Sequence, residues 1–327
     1  MAELDRKDRI ILYELDKNAR QPLSAIAKKA GMSREAVLYR VRGYQKDGII
    51  RSYLAVIDMA KLGFVHHKVF VRLHNITKKQ EEDMISDLCR SHYMTWVASC
   101  DGKYSLAFGV KARSFQKLSA ILREINRRYW KYFMSQDVAS IVEARHFHRD
   151  YLIGKSGTTK RKIGWSSQDV QEKIDARDVE ILEMLSQNPR ASSVEIASAA
   201  GISPDTVLKR ISALERAGII SNYTIWPNVN KLKGLYYKVL ISLHNLDEKN
   251  EKLLHAYCLE HPNIVYIVST IGAWQFEMDV EVENENEFRE LMRSFLERFP
   301  GMVSDYSPLN VYQEHKFRFF EKAALEG

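Results

Sequence analysis

The strongest constraint on the fold of this chain is an internal repeat. A shift of 170 positions aligns residues 4–76 with residues 174–246 without a gap, and 26 of the 73 aligned pairs are identical. The identical stretches include Ala30-Gly31 with Ala200-Gly201, Gly48-Ile49-Ile50 with Gly218-Ile219-Ile220, and Leu73-His74-Asn75 with Leu243-His244-Asn245. A repeat of this length indicates a duplicated structural unit, so the fold must be derived for one copy and then sought in the other.

Length and composition place the chain among multidomain intracellular proteins. Its 327 residues favour two or more domains, and 45% apolar residues is ordinary for a globular core. The three cysteines, Cys89, Cys100 and Cys258, form no CxxC pair, which argues against a disulfide framework or a structural zinc site. A charged N-terminus and the lack of a long apolar run predict a cytoplasmic protein with no membrane partner. The net charge of +7 favours polyanionic partners.

Each copy begins with a three-helix pattern. Apolar residues at helical spacing within residues 4–17 predict a first helix. A short second helix is predicted to end at Gly31, because glycine easily adopts the positive φ of a helix end. Ser33 is a favourable N-cap for a longer third helix, which completes a helix-turn-helix. The positions of this helix predicted to lie in the core are Val37 and Leu38, with Val207 and Leu208 in the second copy.

The outward face of the third helix predicts contact with double-stranded DNA. Major-groove docking requires an N-terminal turn close to base edges and basic residues that bind phosphates. The candidate DNA-binding residues are Ser33, Arg34, Tyr39, Arg40, Arg42 and Lys46, with Ser203, Lys209, Arg210 and Arg216 in the second copy. Since Arg34 and Arg42 are replaced by Pro204 and Ser212, we expect the first copy to bind phosphate more strongly. The alternative is an amphipathic helix whose charges are merely solvated.

The remainder of each copy predicts a βαββαβ domain. Residues 49–57 form a predicted strand that joins the two parts. Alternating strand patterns and two helical patterns then follow, over residues 66–147 in the first copy and 237–317 in the second. This order is ferredoxin-like, with one open sheet face that pairs with another sheet or a partner. The predicted fold class is therefore α+β: two copies of a winged-like helix-turn-helix domain, each followed by a ferredoxin-like αβ sandwich.

The predicted domain boundaries follow from this pattern. They are 1–50 and 174–220 for the helix-turn-helix domains, 51–150 and 221–320 for the ferredoxin-like domains, and 151–173 for a basic flexible linker. Gly, Ser and Thr in the linker favour flexibility. Its Lys160, Arg161 and Lys162 either add phosphate contacts or are simply solvated. The acid-rich stretch 277–290 predicts an acidic strand edge that faces away from DNA.

Four stretches of the chain resemble the Lrp/AsnC (feast/famine) transcription regulators. They are Leu4-Asp5-x-x-Asp8-x-x-Ile11-Leu12, Ile26-Ala27-x-x-Ala30-Gly31-Met32-Ser33, Val37-x-x-Arg40-Val41 and Gly48-Ile49-Ile50, and the second copy matches at Ala200-Gly201-Ile202-Ser203 and Val207-x-x-Arg210-Ile211. Members usually carry one such module and assemble through their ferredoxin-like (RAM) domains. The resemblance implies that two modules in one chain form a covalent pseudo-dimer on one duplex. Whether further chains associate stays open.

The resemblance also implies a small-molecule effector, an amino acid or a related compound, near the turn between the second and third strands of the ferredoxin-like domain. The corresponding residues are Gly102 and Tyr104, with Gly272 and Trp274 in the second copy. The carboxylate expected after the aromatic residue is replaced by Ser105 or Gln275. Since that carboxylate would pair with an effector's ammonium group, its absence argues against free amino-acid sensing. A hairpin turn with a packed aromatic residue is an equal alternative.

No cofactor or metal site is predicted. His146 and His148 would share one strand face, as two metal ligands should, but no third ligand with suitable spacing stands nearby. A further alternative is enzymatic, because sirohaem decarboxylases are built from similar modules. Residues 91–97 contain their His-Tyr pair at His92-Tyr93 but lack the expected arginine. A third alternative is an interaction protein whose helix-turn-helix units no longer bind DNA. We expect a regulator rather than an enzyme.

Overall fold

The computed structural model describes residues 3–154, 163–166, 171–244 and 247–326, with the backbone alone at 163–166. The predicted linker contacts of Lys160, Arg161 and Lys162 therefore lie outside the described residues. Within them, no helix is long and apolar enough to cross a membrane.

The two copies contain the same series of elements. The first copy comprises α1 (Arg6–Lys17), α2 (Leu23–Ala30), α3 (Arg34–Lys46), β1 (Ile50–Ile57), β2 (Val65–Leu73), α4 (Lys78–Arg90), β3 (Met94–Asp101), β4 (Leu106–Ala112), α5 (Phe115–Tyr129) and β5 (Phe133–His146), followed by β6 (Ile163–Ser166). The second comprises α6 (Ala176–Gln187), α7 (Ser193–Ala200), α8 (Pro204–Arg216), β7 (Ile220–Pro227), α9 (Val229–Leu232), β8 (Leu235–Leu243), α10 (Glu248–Glu260), β9 (Ile264–Gly272), β10 (Phe276–Val282), α11 (Glu285–Arg298) and β11 (Val303–Phe317). These elements confirm the predicted α+β fold class.

Local sequence signals set the helix ends in both copies. Gly31 ends α2 with φ +61°, and Gly201 ends α7 with φ +65°. The hydroxyl of Ser33 accepts the Ala36 N–H at 3.1 Å, and that of Ser203 accepts the Thr206 N–H at 3.2 Å. Because the first backbone N–H groups of a helix lack internal partners, these side chains stabilise the starts of α3 and α8.

Eight strands close into one antiparallel barrel built from both copies. Its order is β2-β4-β3-β11-β8-β10-β9-β5, and β5 pairs again with β2. Four strands come from each ferredoxin-like domain, and the junctions between domains are β3 with β11 and β5 with β9. Closure leaves no free edge among these eight strands. An eight-stranded barrel is just wide enough to be filled by side chains or to hold one small ligand.

A two-stranded ribbon connects the barrel to the DNA-binding units. Strands β1 and β7 pair antiparallel with each other, so each copy contributes one strand. The core of the first helix-turn-helix includes Ile225 from β7 and Leu152, which follows β5. The core of the second includes Val56 from β1 and Phe320, which follows β11. Neither helix-turn-helix core is therefore built from its own copy's helices alone.

Two predictions about burial were wrong. Leu208 was expected in the core but its side chain is 52% exposed, and Leu38 is only half-buried. Both residues sit one position after a fully buried valine, which turns them away from the core by about 100° on a helix. The start of the predicted linker is also packed, because residues 150–153 form a 3₁₀ turn that contacts α1.

The predicted acidic strand edge was also wrong. Glu277, Asp279 and Glu281 are buried on β10, which lies between β8 and β9 inside the barrel wall. Alternation sends these three side chains to the same face, and closure of the barrel makes that face the interior. The sequence showed the charges correctly but not the side of the sheet on which they fall.

Candidate nucleic-acid interface

The α3 helix presents a basic outer face. Tyr39 is 80% exposed, and Arg34, Arg42 and Lys46 are exposed as well. Arg34 lies 3.6 Å from the neighbouring Glu35 carboxylate, an exposed pair that solvent weakens. A face of this kind, next to the capped helix start, has the charge and shape needed to approach DNA phosphates and base edges.

The α8 helix presents a less basic face at the equivalent positions. Lys209 and Arg216 are exposed, but so are Asp205 and Glu215. Glu215 accepts the hydroxyl of Tyr223 at 2.9 Å, and the Arg216 guanidinium lies within 3.5 Å of the Ser212 hydroxyl. The face of α8 therefore carries acids that oppose its bases, whereas the face of α3 carries an excess of bases.

Two candidate DNA-binding residues hold the helices together instead. The Arg40 guanidinium binds the carboxylates of Asp5 at 2.7 Å and Asp8 at 2.6 Å. Arg210 makes the same contacts with Asp175 at 2.9 Å and Asp178 at 2.8 Å in the second copy. Each arginine thus ties the third helix to the start of the first. Both guanidinium groups are therefore already paired with carboxylates of their own unit.

Two further arginines join the helix-turn-helix units to each other. The Arg20 guanidinium donates to the carbonyl of Ala191 at 3.1 Å and to that of Pro189, while Arg190 donates to the carbonyl of Ala19. Arg20 also stacks over the Tyr223 ring. Both arginines were visible as an identical pair in the repeat, but a contact between copies cannot be read from one chain segment. These contacts join the α1–α2 turn of one unit to the α6–α7 turn of the other.

The residues predicted for effector binding are packed. Tyr104 and Trp274 are almost fully buried inside the barrel, where each lies against Phe70, with ring centroids 5.5 Å and 4.9 Å away. A Cβ on Gly102 would stand 2.9 Å from the Pro308 carbonyl oxygen, and one on Gly272 would stand 2.5 Å from that of Val138. The two turns are therefore close approaches of backbone, as the packing alternative expects.

The two histidines lie beside Asp16, and neither Nδ1 has a hydrogen-bond partner among the residues that the structure describes. The rings of His146 and His148 are 6.5 Å apart, and His148 Nδ1 lies 3.7 Å from Asp16. Burial lowers the pKa of His146 to about 4. In the part of the chain that the structure describes, no cluster of three or more His, Cys, Asp or Glu residues is arranged to hold a metal ion.

A cavity of about 90 Å³ lies where the β1–β7 ribbon meets the barrel. It is lined by Leu54 and Trp226 of the ribbon, and by Lys68, Trp96 and Glu314 of the barrel. It stands at the other end of the strands from the Gly102 and Gly272 turns. The segment considered for tetrapyrrole chemistry places the His92 ring against the Tyr93 ring, with centroids 4.1 Å apart.

Two segments of the chain match known families of DNA-binding domains. Residues 4–44 match the AsnC-type helix-turn-helix domain, and residues 174–221 match the winged helix-turn-helix DNA-binding domain. An uncharacterized HTH-type transcriptional regulator of Pyrococcus furiosus is 30% identical over 130 residues, which are 38% of this chain and 84% of that protein. The HTH-type regulator LrpA of Pyrococcus horikoshii is 46% identical over 80 residues, 24% of this chain and 54% of LrpA. This chain belongs to the Lrp/AsnC family of DNA-binding transcription regulators.

Two solved structures of one enzyme match nearly the full length. The sirohaem decarboxylase NirDL superposes with a TM-score of 0.62 over 98% of this chain and 96% of that one, at 14% identity. A second structure of that enzyme holds an iron-uroporphyrin III analogue. At this level of identity the match establishes the shared two-copy architecture and nothing about the chemistry.

Proposed function

We propose that the chain regulates transcription as a covalent pseudo-dimer that places both helix-turn-helix units on one DNA duplex. The observation that carries the proposal is the pair of reciprocal contacts made by Arg20 and Arg190, which fixes the two units relative to each other. The proposed DNA-contact residues are Ser33, Arg34, Tyr39, Arg42 and Lys46 of the first copy and Ser203, Lys209 and Arg216 of the second.

The barrel supports this arrangement. In a regulator assembled from separate chains, the two units come together only when the chains associate, so their pairing depends on concentration. Here both junctions of the barrel, β3 with β11 and β5 with β9, lie within one polypeptide. The pairing of the two units therefore does not depend on protein concentration.

Helical phasing of the DNA tests the proposal. Genomic fragments bound by the protein would supply the operator, and insertion of about 5 base pairs between its half-sites turns one of them to the opposite side of the duplex. We expect binding to weaken strongly with about 5 added base pairs and to recover in part with about 10. Equal binding to all spacings would mean that only one unit engages DNA. Mass measurement of the complex distinguishes one chain per duplex from a larger homo-oligomer.

The enzyme alternative is favoured by the full-length likeness to a sirohaem decarboxylase. The cavity argues against it, because about 90 Å³ is far below the roughly 300–1,000 Å³ of pockets that enclose drug-sized ligands, and a tetrapyrrole is larger still. Addition of an iron uroporphyrin to the purified protein tests this alternative. A saturable change in the visible absorption spectrum would support tetrapyrrole binding, and an unchanged spectrum with intact DNA binding would exclude it.

A further inference from the structure

Two buried lysines occupy equivalent positions in the copies but have different partners. Lys238 of β8 lies opposite Asp279 of β10 and contacts the carboxylates of both Asp279 and Glu277. Lys68 of β2 lies opposite Gly109 of β4, which has no side chain that could pair with the ammonium group. The residue of β4 equivalent to Glu277 is Ala107. The second copy thus carries its own counter-charges, and the first does not.

The Lys68 ammonium lies in a largely buried position without a hydrogen-bonded counter-charge in the described part of the chain. Its side chain is about nine-tenths buried, and it stands 4.3 Å from the centre of the Trp96 ring. Among the described residues, its Nζ makes no hydrogen bond or ion pair, and its contact is with the Trp96 ring. Burial, followed by the nearby Lys238, lowers the pKa of Lys68 to about 8, and the more distant carboxylates of Glu277, Asp279 and Glu314 oppose this shift only in part. An ammonium group has three donors, and leaving them without acceptors in a buried site is unfavourable.

The other charges that line the cavity are already engaged. Arg149 binds Glu281 at 2.8 Å, and Lys238 binds Asp279. The Glu314 carboxylate accepts the indole N–H groups of Trp96 at 2.8 Å and Trp226 at 2.9 Å, and burial raises its pKa. Among the described charged side chains of this lining, Lys68 is therefore the one that makes no hydrogen bond or ion pair, while the uncharged His146 ring also leaves its Nδ1 without a hydrogen bond.

We infer that the cavity is a binding site for a small carboxylate, with Lys68 as its cationic partner and Trp96 beside it. The carboxylate would form an ion pair with Lys68, as Asp279 does with Lys238. The volume sets the size, since a cavity of about 150 Å³ encloses benzene, and about 90 Å³ suits a ligand of the size of acetate, propionate or pyruvate. The site is separate from the Gly102 and Gly272 turns.

The position of the cavity links it to DNA binding. Leu54 and Trp226 of the ribbon form part of its wall, and the ribbon leads directly from α3 and α8. Arg149, also in the wall, binds the buried Asp16 of α1 through its guanidinium. A ligand that shifts the ribbon or Arg149 therefore acts on the helix-turn-helix units. Only this coupling rests on the proposed function; the carboxylate site itself does not.

Thermal unfolding of the full chain tests the site. Sodium acetate, propionate and pyruvate are titrated against sodium chloride at matched ionic strength and against acetamide, the neutral analogue of acetate. We expect a saturable rise of the unfolding midpoint with at least one carboxylate and none with chloride or acetamide. In Lys68→Met the affinity should fall about tenfold or more, because a charge-assisted hydrogen bond is lost. Lys79→Met, an exposed lysine on α4, is the matched control and should respond like the wild type.

The ligand-free variants separate a binding role from a structural one. Without ligand, Lys68→Met should unfold at the same or a higher temperature than the wild type, because a buried charge without acceptors is removed. Lys68→Gln provides a second, polar replacement. A lower midpoint for both variants, an equal response to acetamide or chloride, or an unchanged carboxylate response in Lys68→Met would each overturn the proposal. Anisotropy of labelled operator DNA with and without the carboxylate then tests the coupling, and unchanged DNA affinity despite binding would overturn the coupling alone.

Discussion

The two copies share their elements and pairings but place their charges differently. The first copy carries bases on the surface of α3, whereas its strand β4 presents Ala107 and Gly109 to the barrel. The second copy carries a balanced surface on α8 and buries Glu277 and Asp279 on β10. Glycine turns, helix caps and core valines are kept in both. Duplication has therefore conserved what the fold requires and left the surface and the interior charges free to diverge.

Lys238→Met should give the largest effect on stability. It leaves the carboxylates of Glu277 and Asp279 buried without their cation, so the free energy of unfolding should fall by about 3–5 kcal/mol. The measurement is chemical denaturation at pH 7. Lys68→Met, the equivalent change in the first copy, is the control and should not destabilise. Similar losses in both variants would show that the two lysines have equivalent surroundings after all.

The DNA-contact faces should differ by about 1.4 kcal/mol in their contribution to binding. Arg34→Ala with Arg42→Ala should weaken operator binding roughly 30-fold, because two exposed cations leave the basic face of α3. Lys209→Ala with Arg216→Ala should weaken it only a few-fold. Fluorescence anisotropy over a salt series measures both, and the first pair should also reduce the salt slope more. Lys79→Ala is the control on the barrel side. Equal losses would refute the dominance of the first copy.

The pH dependence of the free energy of unfolding should reveal the lowered pKa of Lys68. The pKa of Lys68 is about 8 in the folded chain and 10.5 when unperturbed, so between these values the unfolded state binds more protons. The wild type should therefore gain stability relative to Lys68→Met as pH rises from 8 to 10.5, on the order of 2 kcal/mol. Lys238, Glu277, Asp279 and Glu314 face Lys68 and are common to both proteins. A difference that is constant with pH would contradict the lowered pKa.

The smallest effect should be the same in both copies. Arg20→Ala and Arg190→Ala each remove hydrogen bonds to carbonyls of the other helix-turn-helix unit. Each should lower the free energy of unfolding by about 1–2 kcal/mol, because these are charge-assisted but partly solvated contacts. Denaturation of the two variants side by side measures this. A marked inequality would show that the contact between the units is less symmetric than its hydrogen bonds.

Much of the fold could be predicted because its signals are local. Gly31 and Gly201 mark helix ends by their backbone freedom, and Ser33 and Ser203 mark helix starts by their capping hydroxyls. The pairing of charged residues within the candidate site could not be predicted. Arg40 has the sequence signature of a phosphate-binding residue. In the structure its guanidinium is paired with the carboxylates of Asp5 and Asp8, which lie 35 and 32 positions away in the sequence. A pattern in one helix cannot report a partner on another.

The sequence by itself determined the repeat, the helix-turn-helix, the order of strands and the family resemblance, because each rests on neighbouring residues or on two segments that can be aligned. Tertiary structure decided the rest. Closure of the barrel turned the acids of β10 inward, brought Lys68 to a cavity in which it makes no hydrogen bond to any described residue, and joined Arg20 to the opposite unit. These outcomes depend on which strand edges meet, and edge pairing between distant segments is fixed only when the chain has folded.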